Sequence, residues 1–479
     1  MYPVLLVFPP PSEEQADTIS PPLSILYVGA HLERAGVSVS YVDLRVQPLQ
    51  TLLDELDKGP SLVGVSSMTG FQLVGTMDVL ETVKKRQPGI KTVLGGVHAS
   101  LLPEQTLSDP LVDFVVIGEG EITLLELVQE LKSKKEDLSN IMGVGWKKKD
   151  GSIVINGQRP FMNMADAVAP ITQSSLHLYQ YYPIGKTQVA RGCPFHCAFC
   201  YNTVFNRRKY RQKPLEVIEA EIRIITKMAP HVKHISLLAD EIGFNHKRIV
   251  SMAKLTAKFG YSFHTAIRAE NVDEKLVTEI DNICEELFIG VEHVSPRIRK
   301  MICKDNNVDD ITQASQVLAR SKIRPVWSFM TAFPEETREE TLANMDYADM
   351  LRVQNPRSVI SPFFLTTPFP GTELYVLAQK YGYRPPKDLR DWRDFGLGKV
   401  TMPWIDAKAE NFSDLYGMSC LLFTSEKSYR RSDFEMQWFS YLKETAWQRW
   451  KARDIRFKKE WEMFLAYNRC MKVIPQKIL

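Results

Sequence analysis

Cys193, Cys197 and Cys200 stand in the stretch RGCPFHCAFCYN, residues 191–202, in a C-x3-C-x2-C spacing. An iron–sulfur cube held by cysteine thiolates normally takes four of them. A tight loop that offers three leaves one iron open to another ligand. Arg191 and Gly192 follow a short apolar strand, KTQVA, and the glycine lets the backbone turn closely against a cluster. The alternative is a structural zinc site with His196 as fourth ligand. Such sites usually join a C-x2-C to a second pair some distance away, and the sequence holds no second pair.

The elements that must position this loop follow from length and pattern. At 479 residues the chain exceeds what one core usually supports, so two or three domains are expected. An apolar fraction of 44% with 24% charged residues is ordinary globular composition. Lys plus Arg number 60 against 57 Asp plus Glu, a net +3 that gives no case for nucleic acid as a partner. Three of the seven cysteines are clustered. Cys284, Cys303, Cys420 and Cys470 are scattered and read as buried small apolar residues in a reducing compartment, which implies a cytoplasmic protein. The opening MYPVLLVFPPP reads as a buried strand rather than a signal peptide, and no apolar run is long enough for a membrane span.

Over residues 1–140, the runs VLLVF, SVSYVD, LVGVS, KTVLGG and DFVVIG read as strands, and Pro22–Ala35, Leu73–Arg86 and Glu121–Lys134 as helices. That alternation predicts an α/β fold with a doubly wound parallel sheet whose ligands sit beyond the carboxyl ends of its strands. Residues 141–185 read as a hairpin turning at Asp150–Gly151 and then a linker. From 186 to 385 six strand–helix units follow, with strands near KTQVA, HISLL, YSFHTAI, LFIGV, PVWSFM and SVISPFF. Residues 386–479 read as a helical C-terminal region. Its aromatic and basic tail carries Trp438, Tyr441, Trp447, Trp450 and Trp461 at helical spacing. A helix packed on the barrel, a lid over substrate and an interfacial helix are three readings of that tail.

The cysteine stretch, with Phe199 before its last cysteine, resembles the signature of the radical S-adenosylmethionine (SAM) enzymes. PPLSILYVGAHLERAG, GGVHASLLPEQTL and VDFVVIGEGEITLLELV resemble the N-terminal cobalamin-binding domain of one branch of that family. The resemblance implies a Rossmann-like cobalamin-binding domain followed by a partial (β/α)6 TIM-type barrel. It implies a [4Fe-4S] cluster on the three cysteines, SAM on the open iron, and cleavage of the sulfonium to a 5′-deoxyadenosyl radical. Phe199 would lie near the adenine. Ser66, Ser67, Thr69, Gly95, Gly96 and Glu119 are candidates to hold cobalamin. The D-x-H-x-x-G motif that ligates cobalt in other cobalamin proteins is absent, and His98 stands at a different place.

In parallel barrels function gathers at the C-terminal strand ends. At the second, LLADEIGF offers Asp240 and Glu241 to the SAM amino group, or a helix-capping acid. At the third, Arg268 offers a planar fork to the SAM carboxylate, or an ordinary salt bridge. At the fourth, GVEHVSP brings Glu292 and Ser295 where the family contacts SAM. At the fifth stand Ser328 and Thr331. The sequence points to no catalytic residue beyond the cofactor ligands. The implied activity is methylation of an unactivated carbon or phosphorus of a small molecule, natural-product or lipid-like. An external donor such as flavodoxin or ferredoxin would supply electrons. The alternatives are oxidative cyclisation, ring contraction or rearrangement without methyl transfer and, outside enzymology, a cobalamin or iron–sulfur sensor.

Overall fold

A computed structural model describes residues 2–10, 20–133, 137–242, 245–396, 402–406, 412–423, 433–455 and 463. Its first layer is a seven-stranded sheet in the order β2-β1-β3-β4-β5-β6-β7. β1 is Val4–Phe8, β2 Val39–Asp43, β3 Leu62–Ser66, β4 Lys91–Gly95 and β5 Phe114–Val116, all parallel. Helices α1 (Leu23–Arg34), α2 (Leu49–Asp57), α3 (Gln72–Arg86), α4 (Val97–Leu101), α5 (Pro103–Ser108) and α6 (Gly120–Lys132) connect them. The strands are buried on both faces, as the near-continuous apolar runs require. The chain leaves β1 first to one side and then to the other, which opens a crevice between β1 and β3 at their carboxyl ends.

The hairpin expected at the start of the linker instead completes this sheet. β6 (Val144–Lys147) pairs antiparallel with β5, and β7 (Ile153–Ile155) with β6. Its apolar residues bury against the sheet, with Trp146 in the core. The connection proper is therefore shorter, 158–184, and contains the brief helix α7 (Leu176–Tyr179).

The second sheet is six-stranded, parallel and open, in the order β8-β11-β12-β13-β14-β15. β8 is Gly185–Gln188, β11 His234–Leu238, β12 Ser262–Ala266, β13 Cys284–Glu292, β14 Arg324–Thr331 and β15 Val359–Leu365. A small ribbon of β9 (Ala190–Arg191) and β10 (Arg211–Gln212) brackets the cysteine loop and α8 (Asn202–Phe205). Outer helices α9 (Leu215–Met228), α10 (His246–Lys258), α11 (Glu274–Ile280), α12 (Pro296–Met301), α13 (Val308–Ala319), α14 (Arg338–Gln354) and α15 (Glu373–Lys380) complete a half barrel.

Buried polar contacts bolt the two sheets together. The Tyr27 hydroxyl donates to Glu221 at 3.0 Å and accepts from Lys213 Nζ at 2.9 Å and from the Gln188 amide at 3.1 Å. Tyr182 donates to Asp43 at 2.8 Å. Residues just past the barrel fold back onto the first sheet. Gln105 donates to the Pro386 carbonyl, Trp392 Nε1 donates to Gln105, and the Phe71 amide donates to the Phe395 carbonyl.

Packing bears on the tail reading. Helix α16 is Pro403–Asp406; α17 (Phe412–Phe423) lies along β15, where Ser419 Oγ accepts from the Phe363 amide at 2.9 Å. Helix α18 (Asp433–Lys451) buries Trp450 against Phe363 and bonds its Nε1 to Asp349 at 2.9 Å. Trp447 lies between Arg352 and Lys451. Trp450 and Trp447 are thus seated on the barrel, as a packed helix requires, whereas Tyr441 is exposed at 64%. Trp461 and Cys470 fall outside the described residues. No described helix is long and apolar enough to cross a membrane.

Candidate active site

The cysteine loop begins where β9 ends. Gly192 sits at φ +80°, and a Cβ there would come within 2.0 Å of the Lys209 carbonyl, so only glycine fits. Its amide donates to Asp240 Oδ2 at 2.7 Å, which ties the loop to the carboxyl end of β11. The middle of the loop is pinned from two further sides. The Ala198 amide donates to Ile302 O at 2.9 Å, and the Leu374 amide donates to Ala198 O at 2.9 Å.

The thiols of Cys193, Cys197 and Cys200 are free and partly buried. Burial pushes Cys193 up to about 11 and Cys200 up to about 12; it also raises Cys197, where Lys304 and Arg268 oppose it. A metal centre must displace these protons to bind. His196, the fourth ligand of the zinc reading, turns away and meets Glu373 at 3.0 Å, close to Cys303. Cys303 is thus half-exposed beside polar groups, unlike the buried Cys284 and Cys420.

Around the loop the strand ends bring charged groups together. Asp240 and Glu241 follow β11. The N-cap of α10 is Asn245, which accepts from the Arg248 amide, so neither acid is spent on capping that helix. Arg268 follows β12, pairs with Glu270 and Asp305, and stacks 3.6 Å over the ring of Phe195 in the cysteine loop. Glu292 ends β13 at φ +61°, where the register with β14 slips. Its Oε1 meets Lys304 Nζ at 3.1 Å, and a Cβ on Gly290 would lie 2.2 Å from that oxygen. The glycine of the G-x-E segment therefore makes room for its own glutamate. Burial works against the Lys304 ammonium, but Glu292 and Cys197 outweigh it and raise its pKa.

Three expected contacts are committed elsewhere, and a fourth, Glu119, is held in ion pairs where it lines the interdomain cavity. Ser295 caps α12 and donates to Glu340 at 2.6 Å, so its hydroxyl is a structural cap. Thr331 donates to Glu336 at 3.0 Å and fixes the turn after β14. Thr69 faces His98 Nδ1 at 3.3 Å, behind the loop that carries it, rather than the interdomain cavity. Glu119 accepts from Arg191 at 2.9 Å, Arg211 at 2.8 Å and the Met162 amide at 3.0 Å, which makes it an interdomain bolt. Ser328 is buried in β14 beside Gly290, and Phe199 packs against the cluster of Ile298, Ile302, Met330, Phe333 and Leu374.

A cavity of about 410 Å³ joins the two regions. Ser66, Ser67, Gly95, Gly96 and Glu119 line it from the first sheet; Gln188, Arg191, Tyr201, Asn202 and Asp240 line it from the barrel. Gly96 lies at φ +91°, and a Cβ there would press 2.6 Å from the Ser67 carbonyl. The walls on the first sheet are glycine backbone and apolar side chains such as Phe8, Leu23 and Val97, which suits a large, flat, mostly apolar group such as a corrin. His98 is fully buried, edge-on to Trp392 at 5.3 Å and lines no part of the cavity. Burial lowers its pKa to about 3, so it is neutral. Sequence reading missed Tyr27, Arg191 as a bridge, and Lys304. Arg191 adjoins the signature and could have been found; Tyr27 and Lys304 act across folds of the chain and leave no local signal.

Comparison with known proteins agrees with this geometry. Residues 14–128 match the B12 binding domain and residues 187–348 the Radical SAM superfamily. The chain is 28% identical over 391 residues to the uncharacterized methyltransferase PH0819 of Pyrococcus horikoshii, covering 78% of this chain and 83% of the relative. It is 24% identical over 480 residues to the anaerobic magnesium-protoporphyrin IX monomethyl ester cyclase of Rubrivivax gelatinosus, covering 91% and 83%. In fold it resembles the radical S-adenosylmethionine methyltransferase TsrM from Kitasatospora setae, solved with cobalamin and a [4Fe-4S] cluster, with TM-score 0.68 at 15% identity over 99% of this chain and 100% of that one. With a sheet that matches the B12 binding domain leading into a cysteine-bearing half barrel that matches the Radical SAM superfamily, the chain carries a B12-binding domain followed by a radical SAM domain.

Proposed function

We propose that this protein is a cobalamin-dependent radical SAM methyltransferase acting on an unactivated carbon, or a phosphorus, of a small natural-product-like or lipid-like molecule in the cytoplasm. One observation carries the reading: a single cavity runs from the strand ends of the first sheet to Asp240, the residue that also holds the start of the cysteine loop. In this reading the bound cluster, SAM and cobalamin supply one-electron chemistry and a transferable methyl group. The chain's own residues bind and orient. Cys193, Cys197 and Cys200 hold the cluster. Asp240 and Glu241 would offer carboxylates to the SAM ammonium and Arg268 its guanidinium to the SAM carboxylate, with Glu292, Ser328 and Phe199 as further residues on the SAM side. Ser66, Ser67, Gly95 and Gly96 cradle the corrinoid through backbone and small side chains. The interdomain bolts keep the two ligands at fixed spacing, since misplacement by about 1 Å can cost roughly a hundredfold in rate. Electrons come from outside, through a flavodoxin or ferredoxin.

The test is an anaerobic incubation of cobalamin-loaded, reconstituted protein with deuteriomethyl SAM and reductant. Label in the corrinoid fraction is expected. SAM cleavage with no label in that fraction rejects methyl transfer and favours the second reading, cyclisation or rearrangement, to which the cyclase relative points. No SAM cleavage at all leaves a sensor.

A further inference from the structure

The outer side of the cysteine loop carries a feature that the methyl-transfer reading does not use. A groove of about 480 Å³ is lined by Pro194, Phe195 and His196 of the loop and by Arg208, Lys300 and Lys304. Pro194 to His196 are the residues between Cys193 and Cys197, so whatever occupies the groove touches the segment that carries the thiols. The opposite side of the loop, at Arg191, Tyr201 and Asn202, faces the interdomain cavity. The groove is therefore a solvent-side approach to the cluster that does not cross the ligand cavity.

Its charge is lopsided. Arg208 and Lys300 are exposed, as are Arg207 and Lys209 next to them in the chain. Arg208 donates only to the Pro194 carbonyl, and neither it nor Lys300 forms an ion pair among the described residues. Arg299, at the groove floor, is held by the carbonyls of Val291 and His293 rather than by an acid. The acids at the rim are already committed, Asp305 to Arg268 and Glu373 to His196. Unpaired cations around a concave surface steer an acidic partner and set its orientation.

We infer that this groove docks the acidic face of a small one-electron carrier protein, with Arg208 and Lys300 as its main electrostatic contacts. The inference rests on the radical SAM reading, because the reductive cleavage of a sulfonium consumes one electron per event. The carrier gives up one electron and the cluster takes it; no bond forms or breaks and no proton moves in that step.

The experiment uses the full chain, cluster-loaded and anaerobic, with a flavodoxin hydroquinone as the probe. Affinity for immobilised flavodoxin and the rate of visible bleaching are measured for wild type, Arg208→Glu/Lys300→Glu, and Lys85→Glu, which makes the same kind of charge change on exposed α3. Wild-type binding is expected to weaken steeply with salt. The double variant should lose about tenfold or more in affinity and in bleaching rate, while Lys85→Glu matches wild type. Bleaching by dithionite should be the same in all three. Because Arg208 also touches the loop, Lys300→Glu alone must reproduce part of the loss. Wild type that does not bind flavodoxin, or a double variant that binds and bleaches like wild type, overturns the inference. Protein that dithionite cannot bleach removes the cluster reading itself, a separate failure.

Discussion

The sheet wall of the central cavity and the wall that the barrel strand ends raise around the cysteine loop are built on different principles. The barrel wall is electrostatic, and of Asp240, Arg268, Glu292 and Lys304 only Asp240 also lines the cavity. Asp240 bonds the loop backbone, Arg268 pairs with two acids and stacks on Phe195, and Glu292 faces Lys304 with both largely buried. The sheet wall is steric: glycines at strand ends, two serines and apolar side chains, with its one lining pair of acids, Glu119 and Glu121, already paired with Arg191. The difference matches two kinds of ligand. A small zwitterion on an iron needs opposing charges in fixed places, whereas a large macrocycle needs shape and close backbone approach.

Substitutions that touch one wall should spare the other. The largest effect is expected from the glycines. Gly192→Ala forces a methyl into the Lys209 carbonyl at a positive φ; cluster iron and SAM cleavage should fall roughly a hundredfold while cobalamin still binds. Gly96→Ala should do the reverse, with cobalt lost and iron retained. Metal analysis of both proteins checks the pair, and loss of both metals from either variant would merge the two walls into one unit. Lys304→Met comes next. It leaves Glu292 buried without its cation, a change that costs about 3–5 kcal/mol in comparable pairs. A lowered unfolding midpoint, partly restored by adding Glu292→Gln, is the expected result.

On the sheet side, His98 makes stability depend on pH. Its folded pKa is lowered to about 3 by burial, against an ordinary value of 6.5. The stabilisation is complete above pH 6.5 and is lost as pH falls, because the unfolded chain takes up a proton that the folded chain refuses. The slope is roughly 1.4 kcal/mol per pH unit below that point. His98→Leu should flatten the acid limb of the unfolding curve by that amount. The smallest effect is that of Ser295→Ala, about 1 kcal/mol of helix-cap stability with SAM affinity unchanged. A SAM affinity that falls with it would return Ser295 to the barrel wall.

Much of this architecture was legible in the chain. The six barrel strands and the helices starting at Leu215, His246 and Val308 lie where period and propensity put them, because each is a long local pattern. The three cysteines were legible for the same reason. What was not legible depends on contacts between distant segments. Ser295 and Glu292 stand three residues apart in one motif, yet one caps a helix against Glu340 and the other meets Lys304. The hairpin at 144–155 was recognised as a hairpin, but its partner strand β5 could be known only from the folded sheet. Arg268 shows the same limit: its sequence context suits a ligand or a salt bridge, and in the fold its guanidinium lies between two acids and an aromatic ring of the cysteine loop.

The most direct measurement is a metal count on protein purified and reconstituted without air in the presence of cobalamin. The account predicts about four irons and four sulfides on the three cysteines and about one cobalt per chain, with cobalt surviving Cys197→Ser and iron surviving Gly96→Ala. Colourless protein that carries zinc, or cobalt that leaves whenever iron does, would contradict it.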